Sequence, residues 1–160
     1  MATIVDALDH EPGVKVPPAA TLGAVAEPES GQEPRVSRQD SGPRRVLVVD
    51  DDRYILEATR TLLNRAGFLA LGAGSALEAL SQARSQRPDL ILMDLMMPGL
   101  RGDEVVHRLR ANPETRGIPV ILTTGDCTAG PMDGVSAVLT KPISRETLLE
   151  AVSRALPGGS

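Results

Sequence analysis

Four short apolar runs of this chain each lead directly to side chains that could do chemistry. In chain order these side chains are Asp50, Asp51 and Asp52, then Asp94, then Thr124, then Lys141. If the runs are neighbouring parallel strands, their carboxyl ends meet at one edge of a sheet and these groups converge. Clustered carboxylates repel one another unless a cation neutralises them, and oxygen ligands of this kind suit Mg²⁺.

The amine and the hydroxyl complement the carboxylates. Lys141 can donate hydrogen bonds to a phosphoryl oxygen, and Thr124 supplies a second donor. A carboxylate held beside Mg²⁺ can act as a nucleophile toward a phosphoryl group and form an acyl phosphate. The residue types therefore point to Mg²⁺-dependent phosphoryl chemistry on a carboxylate.

Alternating strands and helices must position these groups. Apolar runs predict strands at 46–49, 68–72, 90–93, 118–123 and 135–140. Periodicity and capping residues predict helices at 53–66, 75–86, 103–110 and 144–156. This alternation favours a doubly wound five-stranded parallel sheet with helices on both faces. In the flavodoxin-like order 2-1-3-4-5, the crevice lies between strands 1 and 3, which end on the carboxylates.

Local signals mark the helix ends. Asp52 is expected to cap the first helix, which Gly67 ends, and Ser144 to cap the last. The apolar stripe that should face inward from the first helix consists of Ile55, Ala58, Thr59, Leu62, Leu63 and Ala66.

Composition separates a terminal segment from the folded part. Residues 1–43 are rich in Pro and Gly and show no sustained periodicity. Such a segment cannot bury enough apolar surface to offset the entropy of ordering it, so a disordered tail is expected. Residues 44–156 form the expected domain, and 157–160 a flexible C-terminus.

Overall charge and hydropathy exclude several functions. The net charge of −4 offers no basic surface for nucleic acid or an anionic membrane. No apolar stretch approaches the roughly 18 residues of a spanning helix, so no membrane insertion is expected. The lone Cys127 is compatible with a reducing compartment, and we expect a cytoplasmic protein.

Residues 44–156 resemble a bacterial two-component response-regulator receiver domain. The resemblance rests on Val48-Val49-Asp50-Asp51, the Asp94-x-x-Met97-Pro98-x-x-x-Gly102 loop, Thr124-Gly125 and Lys141-Pro142, in this order. It implies that Asp94 accepts a phosphoryl group from a histidine kinase or a histidine phosphotransfer protein. It also implies a signalling protein that acts on an unknown downstream protein rather than a turnover enzyme.

The resemblance implies a role for each site residue. Thr124 and Lys141 would bind the phosphoryl oxygens. The ligands of Mg²⁺ would be Asp50, Asp51, Asp94 and the backbone carbonyl of Met96. The Lys141-Pro142 peptide would commonly be cis.

Two features depart from the family pattern. Val138 stands where the family usually carries an aromatic residue, three positions before the lysine. The segment 125–134, between the fourth and fifth strands, is short and contains Gly and Pro. The helix that the family places there, its fourth, is therefore expected to be shortened or irregular. We therefore expect phosphorylation to change mobility in 125–134 rather than the rotamer of Val138.

Other functions remain possible from the sequence. Nothing that resembles an output domain follows Leu156, so we expect a stand-alone receiver. The first alternative is a pseudo-receiver, a binding scaffold without phosphotransfer. The second is a flavin- or nucleotide-binding α/β protein, which would need a phosphate cradle after the first strand, where this chain carries Asp50, Asp51 and Asp52.

Overall fold

Five parallel strands and four helices make up residues 42–156, the part of the chain that the computed structural model describes. The strands are β1 (Arg45–Val49), β2 (Leu69–Ala73), β3 (Leu90–Asp94), β4 (Val120–Thr124) and β5 (Ala137–Thr140). The helices are α1 (Arg53–Arg65), α2 (Ala76–Gln86), α3 (Gly102–Ala111) and α4 (Arg145–Ala155). The strand order β2-β1-β3-β4-β5 confirms the predicted doubly wound sheet of order 2-1-3-4-5.

The predicted tail lies outside the described residues except for Gly42 and Pro43, and the predicted flexible C-terminus 157–160 lies outside them as well. Within 42–156, no helix is long and apolar enough to cross a bilayer. β5 begins two residues later than predicted, because Val135 bonds to the Met132 carbonyl in a turn instead of joining the sheet.

The strand register places the ends of β1, β3 and β4 side by side. Val49 is aligned with Met93, so Asp50 leaves β1 next to Asp94. Asp94 is aligned in turn with Thr123 of β4. The strand order reverses between β1 and β3, which is where doubly wound sheets form their crevice.

Polar side chains cap the helices where the sequence predicts. The Asp52 carboxylate accepts hydrogen bonds from the backbone N–H groups of Tyr54 and Ile55 at the start of α1. Gly67 follows the end of this helix with φ of +99°, a conformation that favours glycine. Serine side chains cap α2 and α4 in the same way.

Two aliphatic layers cover the faces of the sheet. α1 and α4 pack on one face, and α2 and α3 pack on the other. Alternate residues of each strand enter opposite layers, which is the period-2 pattern of a strand buried on both sides. Burial of such branched side chains stabilises the fold by roughly 1.5–3 kcal/mol each, without any contribution from tryptophan.

The inward face of α1 differs from the predicted stripe. Leu56 and Leu63 are the buried residues of this helix, whereas Ile55 is 42% exposed. Four further residues of the stripe line an open groove of about 290 Å³ beside the carboxyl end of the sheet: Ile55, Ala58, Thr59 and Leu62. The last one, Ala66, is exposed. Periodicity shows which side chains share a face, but it does not show how far neighbouring elements cover that face.

A crossover without a helix, residues 125–136, connects β4 to β5. The helix expected between β4 and β5, shortened or irregular, is thus reduced to turns in this part of the described chain. Gly130 and Pro131 lie in its middle, and Gly134 has φ of +78°, a conformation that no right-handed helix contains. Met132 and Val135, two residues of this crossover, pack on the α2/α3 layer.

The guanidinium of Arg110, in the last turn of α3, holds the returning end of this crossover. Its Nε and Nη2 donate hydrogen bonds to the Gly134 carbonyl at 3.1 and 2.6 Å. Its Nη1 donates to the carbonyls of Arg116 and Ile118 at 2.9 and 2.8 Å. Partial burial lowers the pKa of Arg110 by desolvation, although a guanidinium stays charged. One side chain therefore ties α3, the segment before β4 and the crossover together.

Gly102 allows α3 to begin against the end of β3. Its N–H donates to the Leu95 carbonyl at 2.9 Å. A Cβ at this position would lie 2.9 Å from the Leu95 Cα and 3.0 Å from the Asp94 carbonyl oxygen. Both are backbone atoms, so no side-chain movement could relieve the contact. The path of the chain directly after Asp94 therefore depends on this glycine.

Gly102→Ala should lower the free energy of unfolding by about 1–3 kcal/mol, because the added methyl overpacks the β3–α3 junction. Gly117→Ala is the control, since a Cβ there meets no atom within 4 Å. Urea unfolding measures both variants. Equal stability of the two variants would show that the junction tolerates a side chain.

Candidate functional site

Three carboxylates meet at the carboxyl ends of β1 and β3. One oxygen from each of Asp50, Asp51 and Asp94 lies within 4.8 Å of the others. Asp50 is 5% exposed and Asp94 8% exposed, whereas Asp51 is open to solvent. The fourth sequence candidate, Asp52, is directed to the start of α1 as its cap. The cluster thus combines two buried carboxylates with one that opens to the surface.

Backbone N–H groups orient the two buried carboxylates. Asp50 Oδ1 accepts from the N–H of Asp52 at 2.9 Å, and Asp94 Oδ1 accepts from the N–H of Met96 at 3.0 Å. The second oxygen of each carboxylate faces Lys141, whose Nζ lies 3.6 Å from Asp50 Oδ2 and 3.4 Å from Asp94 Oδ2. The single ammonium therefore bridges the two strand ends.

The pKa of Asp50 reflects both its burial and its charged neighbours. Desolvation by burial raises the pKa of Asp50, the N–H of Asp52 and the charge of Lys141 oppose this rise, and Asp94 and Asp51 add to it. Three carboxylates against one ammonium leave an excess of negative charge. Mg²⁺ prefers oxygen ligands and takes one or two carboxylates with waters and phosphate oxygens, so this donor set fits a divalent cation.

Thr124 ends β4 and is fully buried. Its Oγ1 accepts from the N–H of Asp126 at 3.0 Å, and its carbonyl accepts from the N–H of Lys141 at 2.7 Å. Across residues 42–156, no acceptor takes the Thr124 hydroxyl hydrogen. The hydroxyl is thus anchored as an acceptor and keeps its donor for another group.

Lys141 begins the segment that follows β5. Its side chain is 30% exposed, and its peptide bond to Pro142 is cis, as the resemblance implies. Met96, in the loop after β3, has a 57% exposed side chain. The structure thus brings together the carboxylates and Lys141, with Thr124 linked to Lys141 through the backbone.

The groove beside α1 is a feature that sequence reasoning missed. It extends the site along the α1/α4 face, where Thr123, Lys141 and Pro142 form its wall. Tyr54, next to it on α1, is 88% exposed. The apolar stripe on α1 signalled the groove, but the stripe was predicted to face the core.

Comparisons with known proteins agree with this geometry. The family model of the response regulator receiver domain matches residues 46–153. Protein PilH from Pseudomonas aeruginosa is 35% identical over 119 residues, which cover 71% of this chain and 98% of PilH. Other curated relatives, among them DNA-binding response regulators, are longer, and the match spans about half of their length.

Solved structures show the same architecture. Chemotaxis protein CheY4 of Vibrio cholerae has a TM-score of 0.67 at 30% identity, over 72% of this chain and 100% of CheY4. The receiver domain of sensor histidine kinase PA1611 from Pseudomonas aeruginosa has a TM-score of 0.66 at 26% identity, over 71% of this chain and 98% of that domain. Its structure has a magnesium ion coordinated in the active site cleft. This chain therefore belongs to the response regulator receiver domain family of two-component signalling systems.

Proposed function

We propose that this receiver accepts a phosphoryl group on Asp94 in an Mg²⁺-dependent reaction and signals by contact with a downstream protein. The donor is a histidine kinase or a histidine phosphotransfer protein. One observation carries the proposal: Asp94 lies inside an acidic cluster with its Oδ2 3.4 Å from the Lys141 ammonium. A carboxylate placed this way is oriented for nucleophilic attack and has a cation at hand for the incoming charge.

The reaction is a phosphoryl transfer between two nucleophiles. A bond forms between an Asp94 oxygen and phosphorus, while the bond from phosphorus to the donor's imidazole nitrogen breaks. Lys141 then exchanges its contact with Asp94 for a contact with one phosphoryl oxygen. The Thr124 hydroxyl, whose hydrogen has no acceptor within residues 42–156, donates to a second phosphoryl oxygen. Catalysis of this kind consists almost entirely of positioning and charge stabilisation.

The acidic cluster provides the metal ligands. Asp50, Asp51 and Asp94 would hold Mg²⁺ together with the Met96 carbonyl. The ion supplies positive charge that offsets both the carboxylates and the phosphoryl oxygens. Without it, an anionic phosphoryl group would approach a site in which carboxylates outnumber the ammonium.

The groove beside α1 supports docking of a protein donor next to Asp94. A donor must bring its phosphohistidine to the edge of the sheet, so its neighbouring residues contact the surface around that edge. Exposed Tyr54 and Ile55, with the apolar groove behind them, offer aromatic and aliphatic contact area of the kind that anchors interfaces.

The alternative functions have weaker support. A pseudo-receiver would not require the full set of Asp94, Thr124 and Lys141 at one sheet edge. A flavin- or nucleotide-binding protein would present backbone N–H groups to phosphate after β1, where this chain places three successive carboxylates. An absorbance spectrum without flavin bands after purification would argue against the flavin alternative.

We further propose that the chain acts in the cytoplasm and that residues 1–43 are a dispensable tail. Deletion of residues 1–42 should leave cooperative melting and phosphoryl uptake unchanged, because the sequence of this segment offers no periodic apolar face. Thermal melting and mass measurement after acetyl-phosphate treatment check this. Loss of either property in the truncated protein would assign the tail a structural role.

Asp94→Asn should abolish phosphorylation, because an amide oxygen is a poor nucleophile and cannot form the acyl phosphate. Intact mass measurement after treatment with acetyl phosphate and Mg²⁺ should show one added phosphoryl group in the native chain and none in the variant. Asp133→Asn is the matched control, since Asp133 is exposed and lies outside the acidic cluster. Full labelling of Asp94→Asn would rule out Asp94 as the acceptor.

Asp50→Asn should raise the free energy of unfolding near pH 7 without Mg²⁺. The folded state holds the Asp50 proton more tightly than the unfolded state, because burial raises this pKa above its ordinary value of 3.8. The ionised group is therefore destabilising above its raised pKa, and this penalty disappears as pH falls through that pKa and below 3.8. The advantage of the Asn variant should shrink in the same window.

Thermal melting of Asp50→Asn also tests metal binding. A ligand at 100 times its Kd stabilises the folded state by about 2.7 kcal/mol, so Mg²⁺ should raise the melting temperature of the native chain and of Asp133→Asn. The rise should be much smaller for Asp50→Asn. An undiminished rise would remove Asp50 from the ligand set.

A further inference from the structure

The Arg110 guanidinium hydrogen-bonds to the crossover 125–136, which contains no helix. Its described hydrogen bonds all reach backbone carbonyls: Gly134 in the crossover, and Arg116 and Ile118 in the segment before β4. A planar guanidinium can serve several carbonyls at once because its donors form a rigid fork. An ammonium could not reach carbonyls of both segments with the same geometry.

Arg110 is one of several restraints on the crossover. The first turn of the crossover is local, with Thr128 donating to the Asp126 carboxylate from both its N–H and its hydroxyl. Ala129 adds a bond to the Asp126 carbonyl at 3.2 Å. Toward β5, the Ser136 N–H donates to the Val120 carbonyl at 2.7 Å, and Met132 and Val135 pack on the α2/α3 layer. Arg110 adds the side-chain hydrogen bonds at this returning end.

We call the hydrogen bonds from Arg110 to the Gly134, Arg116 and Ile118 carbonyls the clamp. Gly134 has a backbone conformation that suits it. Its φ of +78° favours glycine, and a Cβ there would lie 3.4 Å from Val106 Cγ1 and 3.5 Å from Arg110 Cγ and Nε. A side chain at this position would therefore be strained by its backbone conformation, while its Cβ would only be in van der Waals contact with the arginine. Gly130, in the same crossover, has no atom within 4 Å of its Cβ position and no positive φ.

We propose that Arg110 is a positioning residue for the phosphoryl site, acting through the β4–β5 crossover. The crossover starts at Gly125, directly after Thr124, and the Asp126 N–H holds the Thr124 Oγ1. With its far end clamped, the crossover keeps the Asp126 turn in register, and the Thr124 hydroxyl stays aimed for donation. This role rests on the proposed phosphorylation of Asp94, whereas the clamp itself does not.

Loss of the clamp has two separable consequences. The amides of the crossover exchange faster, because the segment opens without breaking the sheet. Both uptake and loss of the phosphoryl group slow, because each reaction has its own transition state but in both the charge lies on the phosphoryl oxygens that Thr124 and Lys141 would contact. A purely structural role would lower stability and leave both rates unchanged well below the melting temperature.

The experiment uses the full chain with Arg110→Met and Arg110→Lys. Hydrogen exchange is measured by mass spectrometry in the absence of phosphate. Phosphoryl uptake is measured by intact mass with acetyl phosphate and Mg²⁺. Phosphoryl loss is measured in the same way after acetyl phosphate is removed. Arg108→Met is the matched control, because Arg108 is exposed on the same helix and makes none of the described hydrogen bonds. Gly134→Ala and Gly130→Ala form a second pair that approaches the clamp from the crossover side.

Arg110→Met and Gly134→Ala should accelerate exchange in 125–136 by about tenfold, the effect expected from losing hydrogen bonds to a charged donor. Both should slow phosphoryl uptake and loss several-fold, below the roughly hundredfold cost of a 1 Å misplacement. Arg110→Lys should recover only part of each effect. Arg108→Met and Gly130→Ala should match the native chain.

Unchanged exchange in Arg110→Met and Gly134→Ala would overturn the clamp. Faster exchange with native rates of uptake and loss would overturn the positioning role. If the native chain itself took up no phosphoryl group, the proposed function would fail and the positioning role with it, while the exchange data would still decide whether the clamp exists.

Discussion

The concentration of negative charge at the edge of the sheet is the constraint on which the rest of this structure depends. Asp50 and Asp94 are almost completely buried, and burial without compensation is costly for a carboxylate. Lys141 offsets part of this cost by bridging the two free oxygens, and the backbone N–H groups of Asp52 and Met96 offset another part. The remaining imbalance makes the site receptive to a divalent cation and, with the cation, to a phosphoryl group.

The fold maintains this arrangement through rigid elements on each side. β1 and β3 are adjacent and buried on both faces, so their ends cannot separate to relieve the repulsion. Gly102 brings the start of α3 against the chain directly after Asp94, which limits movement on the other side. The aliphatic layers therefore stabilise a site that is electrostatically unfavourable by itself.

Replacement of a helix by the crossover 125–136 changes how such a site can communicate with the surface. A helix would present a preformed face, whereas this segment contacts the core through Met132 and Val135 and is tied at its end by Arg110. Val138 lies in the same layer and is only partly buried. A short β-branched side chain has a stiff χ1, which is why we predict that phosphorylation affects the crossover more than the rotamer of Val138.

Much of this protein could be predicted from its sequence, because strand and helix periods are local properties. The alternation of apolar runs and capped helices predicted the strand order, and the residues at the ends of those runs predicted the acidic cluster with Lys141. Which residues of the α1 stripe are buried could be learned only from the tertiary structure, because the exposure of Ile55 depends on how far the neighbouring elements cover the helix.

The same distinction applies to the crossover. Gly130, Pro131 and Gly134 indicated that a regular helix was disfavoured, since their backbone preferences are intrinsic. No local signal in the sequence indicated that Arg110 would hold the segment, because an arginine in the last turn of a helix is ordinary. Its three carbonyl partners come together only when α3, the segment before β4 and the crossover have packed. Long-range geometry of this kind is decided by the tertiary structure alone.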